Sequence, residues 1–126
     1  MASSGNSKTA TIGLWALKAL VALAFVAFGM FKLSGQPMMV EEFGKIGLGQ
    51  GFRYITGGLE VLGAIALLVP ATSRFGAPVL LGVSLGACVT QATILHQDVI
   101  HTLVLIAVTG FLTWLAWRPR GGLAAA

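Results

Sequence analysis

Four carboxylates and eight basic side chains carry the formal charge of this 126-residue chain, and one carboxylate stands where charge is least welcome. Glu60 lies inside GGLEVLGAIALLVP (Gly57–Pro70), a run with no other charged residue. A glutamate in such a run can handle protons or a ligand, or it can fix helix register through a buried ion pair or hydrogen bond. An ionisable group at the centre of a membrane span costs about 2.5–3.5 kcal/mol on insertion, so it faces protein or water and not lipid. At helical spacing Arg53, Thr56, Gly57, Gly63 and Ala64 share its face, and small residues there let a second helix approach closely. The cations placed to meet it are Arg53, Lys18 and Lys32, the last two on one face with Phe25 and Gly29. Glu60, Lys32, Arg53 and Lys18 are therefore the expected polar intramembrane site. Arg53 lies about 10 Å from Glu60 along a helix rising 1.5 Å per residue, so a direct contact needs the arginine to fold down.

A second group of polar residues gathers near HQDVIH (His96–His101). Gln91, His96, Asp98 and His101 form a candidate secondary polar site, where histidines would suit a proton-linked role. Imidazole and carboxylate are competent metal ligands, yet the spacing matches no metal signature, so no metal site is expected. GLGQG (Gly47–Gly51) lacks both the spacing and the preceding strand of a nucleotide loop. Cys88 is the only cysteine, which excludes an internal disulfide or a CxxC redox pair.

The elements that must position these groups are set by composition. The chain is 56% hydrophobic and 10% charged, with a net charge of +4 and a mean hydropathy of +0.89. A soluble domain carries about a quarter charged residues. The scattered basic residues point to membrane topology and exclude a nucleic-acid partner. Four apolar runs, about 12–31, 54–71, 75–95 and 99–117, each approach the roughly 20 residues that cross a bilayer core about 30 Å thick. Backbone groups in lipid must pair internally, so these runs predict helices, and strands of a membrane barrel would be about half as long. The expected fold is an all-α, four-transmembrane-helix bundle forming one domain over 1–126. Lys8 followed by an apolar run resembles a secretory signal, but Lys18 interrupts the run, which is long enough to span. In the first loop Pro37 opens a short segment with Met39, Phe43 and Ile46 on one face, which predicts an interfacial helix. Gly82 and Gly86 form a GxxxG pair, a packing device within the bundle or in a homodimer. Thr102, Thr109 and Thr113 form a stripe whose hydroxyls are expected to bond their own helix, and Trp114 and Trp117 read as an interface belt. Lys8, Arg74, Arg118 and Arg120 outnumber Lys32, Lys45 and Arg53, which places both termini in the cytoplasm.

FGMFKLSG (Phe28–Gly35) and FGKIGLGQGFRYITGGLEVLGAIALLVP (Phe43–Pro70) resemble the DoxX-like family of small four-helix membrane proteins. Gly29, Lys32 and Leu33, then Gly57–Glu60 with Gly63 and Leu67, carry the likeness, and RFGA (Arg74–Ala77) continues it. The resemblance covers most of the chain and marks Lys32 and Glu60 as its polar centre. It implies an integral protein of the bacterial inner membrane, an accessory or assembly subunit of a membrane redox complex with a redox partner protein and quinone as the associated cofactor. Two alternatives stand beside it: a quinone-reactive oxidoreductase subunit using Glu60 and a neighbouring base, and a small proton-coupled transporter. Small multidrug exporters carry their membrane carboxylate on the first helix, where this chain has Lys18 and Lys32, which weakens the transporter reading.

Overall fold

The computed structural model describes residues 4–118. Five α-helices account for almost all of them: α1 (Ser4–Leu33), α2 (Pro37–Ile46), α3 (Gln50–Leu68), α4 (Ser73–Thr90) and α5 (Ile100–Trp117), with a π-helical turn (Gln91–Leu95) continuing α4. Within the described residues, Lys8–Leu33, Gln50–Leu68, Ser73–Leu95 and Ile100–Trp117 are long and apolar enough to cross a membrane. The protein is an all-α membrane bundle.

The helix ends differ from the apolar runs for local reasons. α1 starts at Ser4 and not near residue 12, because polar residues outside the hydrocarbon continue a helix without penalty. Its 30 residues reach about 45 Å at 1.5 Å per residue, longer than the bilayer core. α3 stops at Leu68, where the run reached to Ala71. Pro70 crowds the backbone before it and drives Val69 out of the helical region to φ −95°, ψ 119°. The first-loop helix α2 forms with Pro37 at its start and ends at Gly47, whose φ of +84° lets its N–H reach the Phe43 carbonyl. Arg120 lies outside the described residues.

α1 packs on α3, α3 on α4 and α4 on α5, while α2 lies against α3 and the π turn. The N-terminus of α1, the α3–α4 turn and the C-terminus of α5 thus share one end of the bundle, the terminal end. The α1–α2–α3 connection and the π turn form the other, the loop end. Phe25, Ala64, Leu67, Ala77, Leu80 and Leu112 make the apolar core. Two glycine crossings hold the row together at backbone distance. A Cβ built on Gly29 would stand 2.7 Å from the Gly57 carbonyl oxygen, and one on Gly76 would stand 2.5 Å from the Leu67 nitrogen and 2.7 Å from the Gly63 oxygen. No side chain fits there, and dispersion between close backbones takes the place of a hydrophobic driving force that lipid does not supply.

Pro78 lies inside α4 and cannot donate to the Arg74 carbonyl. The Trp117 indole Nε1 donates to that oxygen at 2.6 Å instead, and the Arg74 guanidinium stacks 3.8 Å from the Trp117 ring centroid. The belt tryptophan therefore repairs a proline defect and ties α5 to α4 at the terminal end.

Candidate functional site

At the loop end the helices leave a cavity of about 660 Å³. Its apolar walls come from Phe25, Phe28 and Phe31 of α1, Met39, Phe43 and Ile46 of α2, and Val79, Val83 and Leu105 of α4 and α5. The face predicted for α2 is thus the face it turns to the chamber, with Phe43 buried and packed at a tilt on Phe52, 5.8 Å between centroids. Gln97 Nε2 donates to Glu42 Oε2 at 3.2 Å, linking α2 to the α4–α5 connection across the loop end.

Glu60 and Lys32, with Glu42 of α2, supply the charge in this chamber. Glu60 is 3% exposed, and its Oε1 stands 2.8 Å from Lys32 Nζ. The ammonium meets Oε1 at the length of a charge-assisted hydrogen bond. The pair forms because the Gly29–Gly57 crossing brings α1 and α3 together about one turn away from both residues. Of the other sequence-predicted partners, neither joins it. Arg53, 4% exposed, turns toward the end of α1: its Nη1 donates to the Lys32 carbonyl and its Nε to Gln50 Oε1 at 2.8 Å. It satisfies one of the last carbonyls of α1, where the helix dipole favours a cation. Lys18 sits toward the terminal end, where its Nζ donates to Ser73 Oγ at 2.7 Å and lies 4.2 Å from the Trp15 ring.

The second polar group is only partly assembled. Gln91 and His101 line the cavity mouth with Gln91 Nε2 3.4 Å from His101 Nε2. His96 takes a left-handed backbone at φ 52° and closes the π turn. Asp98 Oδ1 accepts the Ile100 N–H, the first of α5, at 2.9 Å. Among the described residues no three His, Cys, Asp or Glu side chains gather as a metal site.

Sequence reasoning missed the role of several residues here. Gly82 and Gly86 line the cavity, are exposed, and keep more than 4 Å of open space around an added Cβ. With Ile55 and Leu59, which are 61% and 43% exposed and share the lining, they carry the chamber through to the bundle flank. Ser84 and Thr102 bring buried hydroxyls to its wall. The helical phase that puts Ser84 seven residues before Gln91 was a usable signal for the first; the Glu42–Gln97 contact, 55 residues apart, left none.

The family model described as DoxX-like matches residues 16–116. The chain belongs to the DoxX-like family. No curated protein and no solved structure matches it. The match of this DoxX-like protein takes in the second and third spans whole, the first from residue 16, the fourth to residue 116, and the cavity residues.

Proposed function

We propose that this DoxX-like membrane protein is an accessory or assembly subunit of a redox complex in the bacterial inner membrane, and that its loop-end cavity receives a quinone-class molecule from the bilayer. The observation that carries the reading is a buried Glu60–Lys32 pair facing a mainly apolar chamber of about 660 Å³ that reaches the bundle flank. Small-molecule sites are concave and mostly apolar, with a few convergent polar groups, at about 300–1,000 Å³. An opening on the flank suits a ligand that travels in lipid, and aromatic side chains such as Phe28 and Phe43 suit a planar head. The ion pair gives that head a polar anchor at depth. Redox chemistry belongs in this reading to the partner protein, since Cys88 stands alone. A subunit of this kind has both termini on the cytoplasmic side, where Lys8, Arg74 and Arg118 lie near the terminal end.

The test is gentle extraction from native membranes, followed by mass spectrometry of the proteins and lipophilic molecules that stay bound. The reading expects a second membrane protein together with a quinone, and loss of the quinone from a folded Glu60→Gln variant. Equal retention by wild type and variant, or proton-coupled cation flux by the chain alone in vesicles, would replace it.

A further inference from the structure

The charges of the chain are sorted by end. Its side-chain carboxylates are Glu41, Glu42, Glu60 and Asp98, and each lies in α2, in the chamber or in the α4–α5 connection. Among the described residues the terminal end holds Lys8, Lys18, Arg74 and Arg118 with no side-chain carboxylate beside them. The ion pairs of the described residues are Lys32–Glu60 and Lys45–Glu41, and neither is at this end.

Three of these cations form one connected surface. Lys18 Nζ donates to Ser73 Oγ at 2.7 Å. Arg74 is the next residue and stacks on Trp117; Arg118 follows that tryptophan and lies 5.1 Å from the Trp114 ring centroid. Phe75, exposed on the flank, packs edge-on against Trp117. Lys18 is the half-buried member. A cation within a span pairs with an opposite charge, a backbone carbonyl or water, but here it meets a neutral hydroxyl and the face of Trp15. An ammonium has three hydrogens, so at least one is left over. Buried Ser73 accepts from Lys18, and its own hydrogen meets no acceptor among the described residues. Two donors thus stand beside a guanidinium at the level where tryptophan belts meet lipid headgroups.

We propose that this surface binds an anionic phospholipid, with the phosphodiester on Lys18, Ser73 and Arg74 and the acyl chains along the exposed aromatic flank. Basic pockets between membrane helices hold such headgroups. Charge complementarity selects the occupant: a zwitterionic lipid would bring an ammonium to an end that is already cationic. The inference is independent of the cavity reading.

The tryptophans of the chain, Trp15, Trp114 and Trp117, all stand at this end and serve as the probe. The full chain is reconstituted in phosphatidylcholine vesicles with rising fractions of phosphatidylglycerol brominated near the carboxyl end of its acyl chains. Phosphatidylcholine brominated in the same way is the comparison, and each protein is normalised to its own fluorescence in unbrominated lipid. Phosphatidylglycerol is expected to quench in a saturable way with about 25-fold preference, about fivefold from each of Lys18 and Arg74. Lys18→Met, which keeps the apolar stem, and Arg74→Gln should each lower the preference about fivefold, while Lys45→Gln at the loop end should leave it unchanged. Arg74 is exposed, so its variant keeps the test decisive if Lys18→Met does not fold, which circular dichroism shows. Equal quenching by the two lipids overturns the proposal. So does a preference that rises without saturating or that survives both substitutions, which would assign it to diffuse attraction by a cationic end.

Discussion

Glu60 is tolerated in an apolar helix because Lys32 meets it across the α1–α3 crossing. That pairing makes opposite forecasts for single and double variants. Removing one partner leaves an uncompensated charge, so Glu60→Leu should destabilise by about 3–5 kcal/mol. Glu60→Leu combined with Lys32→Met should recover most of that loss, because buried pairs replaced by apolar groups are often neutral or stabilising. Thermal denaturation in detergent separates the cases; a double variant as unstable as the single one would break the pairing account. Trp117→Phe should lower stability by about 1 kcal/mol, since it strips the Arg74 carbonyl of the donor that replaces Pro78. The Glu60 face was legible in the sequence because helical phase alone puts Thr56, Gly57 and Gly63 beside it. The choice of Lys32 over Lys18 was not, because it depends on the level at which α1 crosses α3, at Gly29 and Gly57. Lys18 is held instead by Ser73, and nothing local in the sequence pairs the two.

Among the elements, the glycines divide into two sorts. Gly29, Gly57, Gly63 and Gly76 stand where helices touch, whereas Gly82 and Gly86 face open space. Gly76→Leu drives a side chain into the α3 backbone and should prevent folding or destabilise by more than the 1–3 kcal/mol usual for overpacking. Gly82→Leu with Gly86→Leu should leave the melting temperature within a few degrees of wild type and reduce ligand binding by narrowing the flank opening. Light scattering of the same double variant in detergent addresses the homodimer: a halved complex mass would assign the pair to a contact between copies. The four spans were legible from run length and hydropathy, and the α2 face from its spacing. The spacing of small residues marks a face that allows close approach, but it does not say whether a helix or a void occupies the space. For that reason GxxxG was read as a contact within the bundle or between copies, while the closest crossings within the chain lie at other glycines.

Taken whole, the molecule is a four-span bundle whose two ends differ in kind. The terminal end is closed by Lys18–Ser73 and by the Arg74–Trp117 stack; the loop end is hollow beneath α2. Cysteines placed at Ser4 and Ala125 in a Cys88→Ser background should resist an impermeant thiol reagent applied to intact cells, and one at Gln36 should react. The reverse pattern would turn the bundle over and place the cavity on the cytoplasmic side. Whether the hollow end is a binding chamber is tested most directly by photolabelling in native membranes. A decyl-benzoquinone carrying a small photoreactive group should form adducts on α3 around residues 52–60 and α4 around residues 82–91, and excess unlabelled compound should suppress them. Adducts spread over lipid-facing residues such as Leu20, Leu62 and Val104, and indifferent to competition, would contradict the account.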